Sequence, residues 1–167
     1  MTANELTTTE VIGNVFDMIG KQWMLVGAEK KGKINAMTAS WGGLGVMWGK
    51  NVAFVFIRET RYTKEFVDNE ETFSLSFFGE EKREMLGYMG KVSGRDEDKI
   101  EKSNLHPTLQ NGAPVFAEAE LTLVCRKMYT QDMKEECFTD KEAVKKWYDG
   151  GNYHTMYVAE IIDVIQK

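Results

Sequence analysis

One stretch constrains this chain more than any other. From Asn35 to Arg61 it reads NAMTASWGGLGVMWGKNVAFVFIRETR. Small and hydroxyl side chains come first, then a glycine-rich bend, then an apolar run that stops at Arg58. A packed core needs no such order. Small residues let a flat ring lie against the backbone, and the arginines and hydroxyls beyond can hold an anion. The order predicts a site for a planar, phosphorylated ligand.

The flanking patterns predict the scaffold. Val52 to Ile57 is continuously apolar and rich in branched and aromatic residues, which suits a strand buried on both faces. Gln22–Glu29 and Ile34–Ser40 read as strands around a Lys30–Lys33 hairpin turn, with Trp23, Leu25 and Gly27 on one face. Residues 13–20 read as a short helix or turn. Thr60–Asn69 reads as a helix that Thr60 can cap, Thr72–Phe78 as a strand, and Glu80–Gly90 as a second helix. Ser93–Asn111 lacks a period and reads as a long loop with a helical turn near Asp96–Ser103. Val115–Tyr129 alternates at Ala117, Ala119, Leu121, Leu123 and Cys125, which predicts one long strand. A short helix over Lys141–Tyr148 and a closing strand over Tyr153–Ile165 complete the chain. Strands dominate and no regular βαβ alternation exists. The expected class is mainly β, an antiparallel barrel with helical insertions rather than a doubly wound sheet.

The chain has 167 residues, enough for one domain over 1–167 with one sizeable core. Its formal net charge of -5 argues against non-specific nucleic-acid binding, where neutralising phosphates supplies the affinity. A small anionic ligand needs only two or three local cations. No apolar stretch approaches the roughly 20 residues that span a bilayer. The N-terminal TANELTTTE has no apolar signal core. Cys125 and Cys137 make no disulfide framework and point to a reduced, cytoplasmic setting.

Several segments carry candidate chemistry, each beside a plainer reading. Gly43-Leu44-Gly45 opens like a dinucleotide fingerprint but lacks the third glycine and precedes a strand, so a Rossmann site fails on context; plain turn glycines remain. Asn35, Met37, Thr38, Ala39, Ser40 and Trp41 suit the close approach of a ring system, with Thr38 and Ser40 on one face; an ordinary strand with a polar face fits equally. Arg58, Thr60, Arg61 and Thr63 cluster where a strand ends and a helix begins, which suits a phosphate or merely a solvated strand end. Ser93 and Gly94 can expose backbone N–H groups, and Arg95 and Lys99 stand four apart on one side of a turn; an exposed charged loop is the alternative. His154 can donate to an anion or carbonyl, or serve structurally, whereas His106 before Pro107 is a turn residue. No catalytic dyad and no metal-ligand spacing stands out. Trp41, Trp48 and Trp147 suit an interface or core packing.

Taken in order, KQWMLVGAEKKGKINAMTASWGG, VAFVFIRETRYTKEFV, KVSGRDEDK and YHTMYVAEI resemble the flavin reductase-like proteins of the FMN-binding split barrel, flavoredoxins among them. The resemblance runs from about Lys21 to Ile161. It implies a small closed barrel, an antiparallel split β-barrel that binds FMN non-covalently, usually as a homodimer with the cofactor near the subunit interface. It implies that Asn35 to Trp41 lie along the isoalloxazine ring and that Arg58, Thr60, Arg61 and Thr63 form a phosphate clamp. Ser93, Gly94, Arg95 and Lys99 match the loop near the ribityl-phosphate end, and His154 a closing-strand position near the cofactor. Some reductases of the superfamily carry Gly-Asp-His there; this chain has Gly151-Asn152-Tyr153-His154. The implied activity is an oxidoreductase that takes reducing equivalents from NADH or NADPH through FMN to an acceptor. A carrier exchanging electrons with a redox protein partner is the alternative, and a non-redox module for haem or another planar ligand is the third reading.

Overall fold

The computed structural model describes residues 12–167. The polar TANELTTTE segment lies outside them. Two tight hairpins organise the first half of the fold. Strands β1 (Met24–Lys30) and β2 (Lys33–Ala39) turn at Lys31 and Gly32, whose φ values of 51° and 81° are the left-handed pair that a two-residue hairpin demands. Strands β3 (Gly42–Met47) and β4 (Lys50–Arg58) turn in the same way at Trp48 and Gly49. The glycine-rich segment is therefore a strand, not only a bend. Gly43 stands opposite Phe54, and a Cβ on Gly45 would come within 3.4 Å of the Phe54 ring, so the glycines open room for that aromatic face.

Strands β5 (Thr72–Phe77), β6 (Pro107–Gln110), β7 (Ala113–Phe116), β8 (Leu121–Asp132) and β9 (His154–Gln166) follow. Seven strands form one antiparallel sheet in the order β2-β1-β5-β8-β9-β4-β3, and β6 and β7 pair separately. The two outermost strands, β2 and β3, are joined by Ser40 and Trp41 alone yet share no ladder. The sheet thus wraps a core, but no ladder between β2 and β3 closes the expected barrel at that seam, which we call the split. Met24, Val26, Val55, Ile57, Phe73, Leu75, Leu123 and Tyr157 fill the interior from every side. Burying each such large apolar side chain contributes about 1.5–3 kcal/mol. Tyr157 keeps its hydroxyl satisfied by donating to Asp68 Oδ1 at 2.5 Å.

Helices cover the outside: α1 (Val15–Asp17), which runs into a π-turn over Met18–Gln22, α2 (Tyr62–Asn69), α3 (Arg83–Lys91), α4 (Lys99–Lys102) and α5 (Lys141–Trp147). Leu25 and Ala36 of the first hairpin pack outward under Leu86 and Met89 of α3, Ile100 of α4 and Phe116 of β7. That second cluster explains why β1 is buried on both faces. In β4, by contrast, Ala53, Val55 and Ile57 face the core while Phe54 and Phe56 are half-buried, so the continuous apolar run is not doubly buried throughout.

Two further expectations change. The segment Val115–Tyr129 is not one strand. Phe116 ends β7, the chain turns over Ala117–Glu120, and β8 begins at Leu121. Glu118 ties this turn to the His106 backbone N–H at 3.1 Å and to the His106 ring, which holds it away from the sheet. In Ser93–Asn111 the expected helical turn is present as the Lys99–Lys102 helix, capped by Asp98 through the Glu101 N–H, but the segment also holds strand β6, which the loop reading lacked. Cys125 is buried in the core, and Cys137 is exposed.

Candidate functional site

The site lies at the split. β2 is an edge strand, paired only with β1, so alternate backbone N–H and C=O groups along it face away from its partner. Met37 and Ala39 turn into the barrel, while the Thr38 hydroxyl points outward and donates to Leu86 O on α3 at 2.6 Å. A cleft of about 200 Å³ opens beside them, lined by Met37, Thr38, Ala39, Ser40 and Trp41 on one wall. Phe56, Arg58, Arg61, Trp147 and His154 form the other.

A second cleft of about 140 Å³ adjoins the first through Arg61. Asn35, Thr60, Tyr62, Thr63, Ser93, Gly94 and Lys99 line it, at the N-terminus of α2. Asn35 Nδ2 donates to Thr63 Oγ1 at 2.9 Å, fixing the floor. Gly94 is obligatory here, because a Cβ at that position would lie 2.2 Å from Asn35 Oδ1.

Two cations give this second cleft its character. Lys99 is only 3% exposed, with Nζ donating to Met89 O at 2.9 Å. Arg61 donates to Gly90 O at 2.9 Å. Burial, and then the neighbouring Arg61 charge, push the Lys99 ammonium down to about 8. Burial also lowers Arg61. Among the described residues, Arg58, Arg61 and Lys99 pair with no carboxylate, whereas Lys21, Lys50, Lys64, Arg95, Lys102, Arg126 and Lys145 each do. Buried charges are normally paired. Here a buried and a half-buried cation repel each other at the end of a helix, an arrangement suited to an anion.

Nearly every residue singled out in the sequence meets at these two clefts. Arg95 does not. Its guanidinium pairs with Glu65 on the outside and packs 4.7 Å from the Tyr62 ring, so Arg95 and Lys99 do not share a face. Lys99 is the first residue of α4, while Arg95 belongs to the turn before it. Thr60 is not the helix cap: Arg61 holds that position without a side-chain bond, and Thr60 Oγ1 donates to Asn152 Oδ1 at 3.1 Å. Arg58 points toward the chain, donating to Trp147 O at 2.9 Å and Asn152 O at 2.8 Å.

His154 opens β9 opposite Arg58 and shares a 2.7 Å hydrogen bond between Nδ1 and the Tyr148 hydroxyl. Burial and the Arg58 charge push its ring down to about 4, so it is neutral at pH 7. Its ring lies 5.1 Å from Trp41, and Trp147 meets Trp41 edge-on at 4.9 Å. Sequence reasoning missed Phe56, Tyr148 and the placement of Trp147. Only the half-buried outer face of β4 signalled the first. Nothing local signals the others, since the long β8–β9 connection delivers them.

A larger cleft of about 580 Å³ lies elsewhere, lined by Glu80, Glu81, Glu120, Lys21 and Arg83 among others. Its carboxylates repel an anion, so size does not identify the site.

Residues 16–167 match the model of the flavin reductase like domain. The chain belongs to that family. A flavin-linked redox function follows at the level of the family. None of the curated proteins compared matches the chain. Among solved structures, the fold is similar to a flavoredoxin from Methanosarcina acetivorans at 24% identity and a TM-score of 0.71, over 97% of this chain and 76% of that one. A flavoredoxin of Desulfovibrio vulgaris (Miyazaki F) is similar at 19% identity and a TM-score of 0.69, over 97% and 77% of the two chains. The Streptomyces globisporus C-1027 NADH:FAD oxidoreductase SgcE6, in complex with NAD and FAD fragments, is similar at 17% identity and a TM-score of 0.63, over 87% and 75%. These likenesses establish a mainly β, antiparallel fold of the flavin reductase-like type. No helix among the described residues is long and apolar enough to cross a membrane.

Proposed function

We propose that this family member binds FMN across the two clefts and passes reducing equivalents from NADH or NADPH through it to an acceptor. The observation that carries the reading is a pair of cations without carboxylate partners, buried Lys99 and half-buried Arg61, beside the cradle at Gly94. A phosphate fits there, and a ring fits the first cleft, whose wall is built of small residues. Bound in that position, a flavin supplies reversible uptake of two electrons. The chain supplies the rest. Arg61 and Lys99 anchor the phosphate by charge-assisted hydrogen bonds. Thr63 and Ser93 complete the anion seat. Backbone N–H groups on the free edge of β2 stabilise negative charge that develops on the ring during reduction. His154, neutral at pH 7, offers a polar ring rather than a cation. No acid or base side chain is required.

The same proposal covers one domain over the whole chain, a cytoplasmic setting and a homodimer. The exposed edge of β3 and its turn, with Val46 74% and Trp48 54% exposed, supports the last. A flavoredoxin-like carrier that exchanges electrons with a redox protein is the second reading. The position of Trp147 in the ring cleft favours it.

The test is a visible spectrum of purified protein, then FMN titration and anaerobic addition of NADH and NADPH. Yellow protein bleached by a pyridine nucleotide supports the reductase. Yellow protein bleached only by dithionite or a reduced protein donor supports the carrier. Protein that neither carries nor takes up FMN defeats both.

A further inference from the structure

We propose that Trp147, held by Arg58, is the residue that decides which electron donors reach the ring in this cleft, and that its resting position favours a protein partner over a pyridine nucleotide. The inference rests on the flavin reading of the site.

The geometry is specific. Trp147 ends α5 and reaches the ring cleft, edge-on to Trp41 at 4.9 Å. Its carbonyl accepts from Arg58 Nη2 at 2.9 Å, and the carbonyl of Asn152 accepts from Arg58 Nη1 at 2.8 Å. One guanidinium thus bolts both ends of the 147–152 turn to the end of β4. The plane of that guanidinium also covers the Tyr148 ring at 5.0 Å. Thr60 adds a bond to Asn152 Oδ1. The turn itself needs left-handed backbone at Gly150, Gly151 and Asn152, with φ of 84°, 91° and 57°. Lys146 places its ammonium 4.8 Å from the Trp147 ring. These bonds fix the Trp147 main chain, while the indole, 44% exposed, stands in the site wall through its contacts with Trp41 and Lys146.

Volume then decides what fits. Pockets for drug-sized ligands run roughly 300–1,000 Å³. The ring cleft holds about 200 Å³ with Trp147 in place. It is room for one flat ring system, with the Trp147 indole in the lining where a second ring would approach. Hydride transfer moves two electrons and a hydrogen from the dihydronicotinamide carbon to the flavin ring, oxidising the nucleotide and reducing the flavin. It needs the two rings in contact, roughly 3–3.5 Å apart. Trp147 must leave before that contact forms. A protein donor transferring electrons to the ring edge has no such requirement. Arg58 is accordingly a positioning residue for Trp147 rather than a phosphate ligand.

The experiment uses the FMN-loaded full chain and the variants Trp147→Ala, Trp147→Phe and Arg58→Lys. FMN affinity and the emission of bound FMN are read first, because a nearby indole quenches flavin emission. Anaerobic reduction by NADH, NADPH and dithionite follows. With the open conformation a minor state, Trp147→Ala speeds reduction by NADH or NADPH at least about tenfold. Dithionite reduction stays unchanged, bound-FMN emission rises, and Trp147→Phe falls between. Arg58→Lys keeps the charge but loses the forked bond, and shifts emission and rate in the same direction by less. Equal nucleotide rates in wild type and Trp147→Ala, with FMN bound in both, overturn the proposal and leave the flavin site standing. Unchanged emission in Trp147→Ala overturns it as well. Failure of the wild type to take up FMN removes the underlying reading instead.

Discussion

The molecule has a small cleft that is short of negative charge and a large cleft that is rich in it. Around the split barrel seam, buried Lys99 and half-buried Arg61 have no acidic partners, and a glycine is crowded by the Asn35 side chain. In the larger cleft, Glu81 and Glu120 also crowd a glycine, Gly79, but the atoms that a Cβ would meet are the far ends of flexible side chains. The first arrangement is rigid and electrostatically incomplete. The second is open and can rearrange. Incompleteness held in a rigid frame, not cavity size, marks a ligand site.

The sharpest way to break this contrast is to remove the charges. Arg61→Ala and Lys99→Met should each weaken FMN binding about 10–100-fold, since a charge-assisted hydrogen bond contributes about 1.5–3 kcal/mol. Lys99→Met should also stabilise the apoprotein against urea, because it removes a buried charge with no carboxylate beside it. Lys21→Ala in the large cleft should leave FMN affinity unchanged. Fluorescence titration reads all three, and equal affinity in the Arg61 and Lys99 variants refutes the anion seat.

The glycines offer a smaller and geometric version. Gly94→Ala should cost about tenfold in FMN affinity, because rigid floor atoms must shift, an adjustment typically worth 1–3 kcal/mol. Gly79→Ala should cost nothing measurable, because Glu81 and Glu120 swing away. If both substitutions weaken FMN alike, the distinction between rigid and adaptable clefts is wrong.

Lys99 adds a pH signature. With its ammonium held down to about 8 in the free protein, Lys99 is largely charged at pH 7 and loses its proton as pH rises through 8. FMN affinity should therefore fall above pH 8, by less than about tenfold per pH unit for one proton. FMN binding at pH 8.5 should draw a proton from solution, which calorimetry in buffers of different ionisation enthalpy detects. For apoprotein stability the sign is opposite. The unfolded chain holds the Lys99 proton up to its ordinary value of 10.5, so stability from this group rises between pH 8 and 10.5.

Much of this was legible because it is local. The Lys31-Gly32 hairpin, helix α2 and the segments Asn35–Trp41 and Arg58–Thr63 carry their signals within a few residues. What escaped was set by distant contacts. Strand β3 was hidden because glycine lowers strand propensity, and only the Phe54 ring opposite explains its use. The break at Ala117–Glu120 was hidden because alternating alanines suit either a strand or a turn, and Glu118 with His106 decides. The i,i+4 reading of Arg95 and Lys99 failed because α4 starts only at Lys99, leaving Arg95 in the turn before it. Trp147 reaches the site only through a connection whose course no local pattern encodes.

His154 gives the smallest expected effect on the cofactor and the cleanest check on which residues supply charge. It lines the ring cleft but is neutral at pH 7, held down to about 4 by burial and then by Arg58. It therefore adds no charge to the anion seat, and His154→Gln should change FMN affinity by less than about tenfold, the loss of one neutral hydrogen bond at about 0.5–1.5 kcal/mol. Its signature is instead in stability. Between pH 4 and 6.5 the unfolded chain binds a proton on this imidazole and the folded chain does not, so acid favours unfolding. The contribution is complete above pH 6.5 and disappears as pH falls toward 4, with an upper limit of about 3 kcal/mol. Urea midpoints across that window should decline more steeply for the wild type than for His154→Gln. Parallel curves would mean that His154 titrates normally, and then Arg58 and the Trp147 turn do not enclose it as the geometry requires.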